Sequence, residues 1–472
     1  MSTKPVASLL TLGCARNEVD SEELAARLKA DGWQVADADQ SGDVVVVNTC
    51  GFVAAAKQES IDQILEAADS NVPVVAVGCL AERYGKELAA ELPEAAAVIG
   101  FDGYEGLPET LRRISAGERP ASHTPQDRRE LLPISPVDRP DVVVPPGHGK
   151  SPAVDLPGSV LRSRLDNSPV APLKIASGCD RRCSFCAIPR FRGSFLSRRP
   201  SEILDEARWL ADQGVRELVL VSENSTSYGK DLGQPRLLET LLTELGEVPN
   251  IERIRVSYLQ PAETRLTLIE TMAAIPTVAN YFDLSFQHAS ENLLRRMRRF
   301  GGTDSFLELI AHIRKLAPEA GIRSNVIVGF PGETEADVVE LQRFLELAEL
   351  DAVGVFGYSV EDGTEAAELS GELDPDEVNA RVENMTSIVE HLASSRAEQR
   401  IGSVTEMLVT ASGPDGSVGS GEFQGPEDGD LSVPEAVSTG QFVPVRLVSS
   451  SGVDLVGEVV EGWPNRRYSP LR

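Results

Sequence analysis

The chain has 472 residues, 41% of them hydrophobic, with 45 Lys and Arg against 73 Asp and Glu, a formal net charge of −28. That length exceeds one core and predicts two to four domains; no apolar run reaches the roughly 18 residues of a membrane span, so a soluble, cytoplasmic protein without a membrane partner is expected. So negative a surface repels phosphate backbones and attracts basic partners, unless its positive charges are gathered in one place.

Residues 1–115 alternate strand-like and helix-like segments. Val6-Ala7-Ser8-Leu9-Leu10 is too short for a signal-peptide core and opens a strand that ends at Gly13-Cys14, with a helix from about Ser21 behind it. Asp43–Val47 is a buried strand ending at Asn48-Thr49-Cys50, and a helix follows over about Ala54–Ala68. Val72–Val77 is a third strand, ending at Gly78-Cys79. Cys14, Cys50 and Cys79 therefore each stand just past the carboxyl end of a strand, 36 and 29 residues apart, about one βα unit each. In an open parallel sheet those ends share one edge, where ligands bind. Three such cysteines favour a common metal cluster over three unrelated core thiols.

Residues 116–170 change character. Eleven of the thirty prolines fall between Gly117 and Pro172, including Pro145-Pro146, with little apolar periodicity. Proline fixes φ and lacks an N–H, so this reads as a linker or extended surface loop. His123 and His148 lie here and are expected to face solvent.

Residues 171–401 read as six strand–helix units. The strands are Leu173–Ser177, Arg216–Ser222, Ile251–Ser257, Tyr281–Gln287, Arg323–Gly329 and Ala352–Tyr358. Helices between them run over about 200–213, 236–246, 263–274, 291–299, 303–316 and 335–348. Such a run predicts a partial parallel barrel working at its strand carboxyl ends. Just after the first strand comes Cys179-Asp180-Arg181-Arg182-Cys183-Ser184-Phe185-Cys186, a CxxxCxxC loop. Three thiolates so close can hold three corners of an iron–sulfur cube and leave one iron open. A zinc loop with a distant fourth ligand, or plain core packing, are the alternatives. Nine basic residues (Arg162, Arg164, Lys174, Arg181, Arg182, Arg190, Arg192, Arg198 and Arg199) flank this loop, as solvated charge or as a basic rim around an active-site mouth.

Residues 402–472 carry short alternating runs such as Phe442–Val448 and Val453–Val460, which predict a small antiparallel β-barrel. Ten acidic residues there face four basic ones, Arg446, Arg466, Arg467 and Arg472. Nucleic-acid binding draws its affinity from Lys and Arg. This tail is badly built for that and suits a basic protein better.

The CxxxCxxC loop, with Phe185 before its last cysteine, resembles the signature of the radical S-adenosylmethionine superfamily. Leu12-Gly13-Cys14-Ala15-Arg16-Asn17, Asn48-Thr49-Cys50-Gly51-Phe52 and Gly78-Cys79-Leu80 are similar to the N-terminal domain of its methylthiotransferases. The resemblance implies an α/β protein: an open parallel sheet domain, a partial (β/α)6 radical-SAM barrel and a C-terminal TRAM-like β-barrel. It implies two 4Fe–4S clusters, one on Cys14, Cys50 and Cys79, the other on Cys179, Cys183 and Cys186, with S-adenosyl-L-methionine at the latter. Phe185, Glu223 in Val221-Ser222-Glu223-Asn224, and Gly329 in Val328-Gly329-Phe330-Pro331-Gly332 stand at cofactor-contacting positions, although Phe185 also suits cluster shielding and Glu223 loop capping. Phe286-Gln287-His288-Ala289-Ser290 and Phe356-Gly357-Tyr358-Ser359 resemble the branch that modifies the β-carbon of an aspartate in a basic small-subunit ribosomal protein, more than the branch acting on transfer RNA adenosine. Such an enzyme needs an electron donor and a sulfur source. Gln287 and His288 are candidates to orient the substrate, His288 equally a hydrogen-bonded core residue.

Overall fold

The computed structural model describes residues 4–37, 42–128 and 162–461. Pro145-Pro146, His148 and the basic residues Arg466, Arg467 and Arg472 lie outside the described residues.

The N-terminal unit consists of β1 (Val6–Thr11), α1 (Ala15–Ala30), β2 (Gln34–Asp37), β3 (Val44–Thr49), α2 (Ala54–Ala68), β4 (Val74–Val77), α3 (Gly78–Glu91), β5 (Ala95–Val98) and α4 (Leu107–Ser115). Its sheet is parallel in the order β2-β1-β3-β4-β5. The valine run of β3 sits at the centre, where a strand covered on both faces must be apolar throughout. The first helix starts at Ala15 rather than near Ser21, because Cys14 itself occupies the extended residue before the first turn. Cys79 is likewise the second residue of α3. Both sulfurs thus stand at helix amino ends, where the free N–H groups and the dipole favour an anion.

The central unit carries β6 (Val170–Lys174), β7 (Ala176–Ser177), α5 (Ile188–Arg192), β8 (Leu196–Ser197), α6 (Pro200–Asp212), β9 (Glu217–Val221), α7 (Leu237–Gly246), β10 (Arg253–Val256), α8 (Leu266–Ala274), β11 (Tyr281–Asp283), α9 (Glu291–Arg296), α10 (Thr303–Leu316), β12 (Gly321–Val328), α11 (Glu335–Ala348) and β13 (Ala352–Gly357). Two parallel ladders, β6-β9-β10 and β11-β12-β13, are joined by the parallel bridges Ile254–Val278 and Leu259–Leu284 into one open arc. That is the expected partial barrel. Phe286, Phe306 and Phe344 pack in its core with ring centroids 4.6–5.8 Å apart.

A 25-residue helix, α12 (Pro375–Gln399), runs from the arc to the C-terminal unit. Sequence periodicity missed it, since its buried stripe is one residue wide: Met385, Val389, Ala393 and Ala397. Then β14 (Val404–Gly413), β15 (Gly416–Ser420), β16 (Leu431–Val433), β17 (Phe442–Ser451) and β18 (Asp454–Val459) close a barrel in the order β14-β15-β16-β18-β17. The ladders are antiparallel except for one pair, β16–β18, which is parallel. An odd number of strands cannot alternate direction all the way round a closed ring. Arg253 and Arg255 of β10, both fully buried and paired with Glu217, latch this barrel by donating to the carbonyls of Glu406, Ser420, Gly421 and Glu422.

The start of the proline-rich stretch is docked rather than loose. His123 N–H donates to the Val98 carbonyl (2.9 Å), and its ring packs beside buried Glu82 and against Gly100. The expectation of a solvent-facing His123 is thereby corrected: Glu82 also takes Arg128 Nε (2.6 Å) and draws the whole turn inward.

Candidate active site

The three N-terminal cysteines meet because glycine precedes two of them. Gly13 has φ +89°, and a Cβ there would stand 2.8 Å from Cys50 Cβ. Gly78 has φ +91°, and a Cβ would come within 2.3 Å of Asn48 Oδ1. Only glycine meets both demands, the left-handed turn and the close approach. A polar lattice then ties the strand ends together. Asn17 Nδ2 donates to the carbonyls of Leu12 (2.9 Å) and Thr49 (3.1 Å), and Asn48 Nδ2 to the Asn17 carbonyl (3.0 Å) and Ser21 Oγ (2.9 Å). Asn17 was not singled out from the sequence; its position three residues after Cys14 was the available signal.

Two arginines reach the sulfurs of this group. Arg16 Nε donates to Cys14 Sγ (3.4 Å), and Arg192 Nη2, arriving from α5, donates to Cys79 Sγ (3.0 Å) and Asn17 Oδ1 (3.0 Å). Burial opposes ionisation of Cys14, but Arg16 and Arg192 outweigh it and hold the thiol below its ordinary pKa. Burial pushes Cys79 up to about 11 against the pull of Arg192, with Cys14 and Cys50 adding to the rise.

The second group sits on the loop after β7. Burial dominates here: it raises Cys179 to about 12 and Cys186 further, and the neighbouring Cys183 pushes both the same way. Arg299 Nη1 lies 3.8 Å from Cys183 Sγ, while its Nη2 donates to the Ser285 carbonyl. Among the described residues no group of three or more His, Cys, Asp or Glu is set around a single metal ion.

A cavity of about 220 Å³ opens beside the loop cysteines. Cys179, Cys183, Phe185 and Cys186 line it together with Arg16, Phe52 and Val53, which lie close to Cys14 and Cys50 in sequence. Glu223, Tyr258, Gln260, Gln287, Asn325 and Tyr358 complete it from the strand carboxyl ends. Four buried atoms on these walls, Glu223 Oε2, Gln260 Oε1, Asn325 Oδ1 and Tyr358 Oη, have no hydrogen-bond partner among the described residues. Orphaned buried polar atoms are costly unless something bonds them, so the cavity is lined for a polar ligand. A carboxylate oxygen without a partner fits the ammonium of S-adenosylmethionine, and three adjacent thiols fit an iron–sulfur cluster; the residues present suit both groups.

Other expectations are placed differently. Gly329 (φ +77°) packs against Val378 and gives its N–H to Glu333 (2.7 Å), away from the residues that line the cavity. His288 is fully buried, with Nε2 3.3 Å from Glu333 Oε1, and so belongs to the core; Gln287 faces the cavity. The basic residues flanking the CxxxCxxC loop are in large part neither solvated nor a rim. Lys174 pairs with Asp20, Arg162 bridges Glu22 and Glu206, Arg198 meets Glu206, and Arg192 meets Asp20. These pairs fasten the N-terminal unit to the arc. Across the cavity mouth, Lys57 and Arg83 also pair with Glu361 at 3.0 and 2.6 Å.

Comparison with known proteins matches residues 7–100 to the Uncharacterized protein family UPF0004 and residues 173–345 to the Radical SAM superfamily. Among solved structures, the radical S-adenosylmethionine methyltransferase TsrM from Kitasatospora setae, with cobalamin and a [4Fe-4S] cluster bound, is similar at a TM-score of 0.53 and 16% identity, over 87% of this chain and 82% of that one. That likeness concerns the fold. The ribosomal protein uS12 methylthiotransferase RimO of Saccharopolyspora erythraea is 60% identical over 464 residues, 96% of this chain and 95% of the relative. RimO of Streptomyces coelicolor is 57% identical over 98% of both chains. Likeness of that degree along nearly the whole length, with the radical S-adenosylmethionine motif in place, makes the chain a member of the RimO methylthiotransferase family, enzymes that use S-adenosylmethionine and a 4Fe–4S cluster.

Proposed function

We propose that this chain exchanges a hydrogen on the β-carbon of an aspartate in ribosomal protein uS12 for a methylthio group. The observation that carries the reading is one cavity lined both by Cys179, Cys183 and Cys186 and by Arg16, whose Nε donates to Cys14 Sγ. Cys179, Cys183 and Cys186 would hold the cluster that receives S-adenosylmethionine, and Cys14, Cys50 and Cys79 a second 4Fe–4S cluster. When bound, the two clusters and S-adenosylmethionine supply one-electron chemistry at an unactivated carbon and the methylthio sulfur.

The chain's own residues bind, orient and shield. Glu223 offers its unpartnered Oε2 to the cofactor ammonium, and Phe185 keeps water from the loop thiolates. Gly329 acts through the turn it makes rather than by contact. Arg16 and Arg192 balance the thiolates of the N-terminal trio, and the pairs around Asp20, Glu22 and Glu361 fix the separation of the two groups. That rigidity matters, since much of a two-reactant enzyme's rate comes from positioning.

In this reading residues 1–115 form the methylthiotransferase domain, 116–170 a connecting segment, 171–401 the radical core and 402–472 the TRAM-like barrel. The acidic chain attracts a basic ribosomal protein in the cytoplasm. An electron donor and a sulfur source complete the partners. No helix among the described residues is long and apolar enough to cross a membrane.

The test is a paired assay. Enzyme reconstituted without oxygen is incubated with uS12 or with transfer RNA, and mass spectrometry follows a gain of SCH₂. Gain on a uS12 aspartate is expected. Gain on adenosine alone overturns the proposal.

A further inference from the structure

Three arginines line the cavity. Arg181 Nη1 pairs with Glu263 at 2.6 Å, and Arg299 donates to the Ser285 carbonyl and the Cys183 sulfur. Arg16 is the one of the three that comes from the N-terminal unit, in α1. Its Nε goes to Cys14 Sγ (3.4 Å) and its Nη1 to the Ser222 carbonyl (3.3 Å), while Nη2 has no partner among the described residues. Glu223 Oε1 stands 3.9 Å from Nη1, beyond hydrogen-bond reach.

The guanidinium is also held in place. The Tyr258 ring lies 4.9 Å from it, and Tyr258 takes the left-handed φ of 61°. That conformation is uncommon for a bulky residue. Here the Tyr258 N–H donates to Asp283 Oδ2 (2.8 Å), which fixes it. Strained backbone of this kind gathers at working sites. Arg16 is also bonded to Cys14 and lines the cavity that Cys179, Cys183 and Cys186 line.

We propose that Arg16 is the specificity residue that receives the side-chain carboxylate of the substrate aspartate, an inference that rests on the function proposed above. A buried guanidinium with a spare N–H is matched to a carboxylate, and charge-assisted bonds of this kind are the strong ones. An asparagine amide would present N–H groups to a donor and bind less well. With the carboxylate at Arg16, the β-carbon one bond away is inside the cavity.

The test compares uS12 carrying Asp or Asn at the modified position. Equilibrium binding to reconstituted wild-type, Arg16→Met and Arg16→Lys enzymes is measured, with the iron content of each. Wild type is expected to prefer the Asp form by roughly tenfold or more, and Arg16→Met to bind both forms alike. An Asp preference undiminished in Arg16→Met overturns the assignment, whatever its iron content. Should Arg16→Met lose both preference and iron, Arg16→Lys decides: a lowered preference with full iron supports the role, and an undiminished one overturns it. Failure of wild type to modify uS12 at all would instead refute the function proposed above.

Discussion

The two cysteine trios are assembled by opposite routes. Cys179, Cys183 and Cys186 come from one loop of eight residues, whereas Cys14, Cys50 and Cys79 come from three strand ends. Their surroundings differ as well. Arg16 and Arg192 approach sulfur in the N-terminal trio at 3.4 and 3.0 Å and hold Cys14 down, while in the loop trio the arginine approach is longer, Arg299 to Cys183 at 3.8 Å. Burial lifts Cys50 and Cys79 in the one and Cys179 and Cys186 in the other. A loop site keeps its ligand geometry through local chain closure. A site built from distant strand ends depends on every contact that docks those ends, so the second trio is the fragile one.

The largest effect expected is a split between cysteine variants. Cys183→Ala should abolish cleavage of S-adenosylmethionine to deoxyadenosine, followed by chromatography; Cys50→Ala should leave cleavage measurable and stop methylthiolation. Equal loss of cleavage in both, in folded protein, would break the comparison. Iron should stand at about eight per chain in anaerobically reconstituted wild type and about four in either variant, as two cubanes require; about four in wild type would remove the second cluster altogether.

Arg192→Met comes next. It deprives Asp20 and Asn17 of a buried partner and Cys79 of its donor. Breaking a buried pair from one side costs about 3–5 kcal/mol, read by calorimetry, and iron should leave the N-terminal trio before the loop trio when a chelator is titrated. Simultaneous loss would deny the difference in fragility.

The smallest effect concerns pH. Burial raises the Asp283 carboxyl to about 6, from an ordinary 3.8, with Arg323 pulling the other way. A raised folded pKa means that the folded chain holds this proton more tightly than the unfolded one. The cost of ionising Asp283 is therefore fully present above about pH 6 and fades as pH falls toward 4. Two pH units correspond to about 3 kcal/mol as an upper bound. Wild type should gain thermal stability between pH 7 and 5, and Asp283→Asn should flatten that gain. If the two profiles run parallel, Asp283 is not the group that titrates.

Much of the fold was legible in residues 1–115 and 171–401, because valine runs, βα spacing and turn glycines are local signals. Helices over 54–68, 303–316 and 335–348 fall where periodicity places them. The site was half legible. Its cysteines stand out by spacing and by their place after strands, but Arg16, Asn17, Arg192, Tyr258 and Arg299 carry no comparable mark. Four of the nine basic residues flanking the loop, Arg162, Lys174, Arg192 and Arg198, are buried and misled for the same reason: Lys174 finds Asp20 across 154 positions, and Arg192 finds Asn17 across 175.

The sequence by itself marked six cysteines as candidate metal ligands and placed them just past strand ends, since strand alternation and glycine turns act over a few residues. Only the tertiary structure decided that Lys174 and Arg192 are interior fasteners and that Arg16 lines the cavity beside the loop cysteines. Those outcomes depend on through-space distances and on what burial leaves unpaired, and no interval along the chain records either.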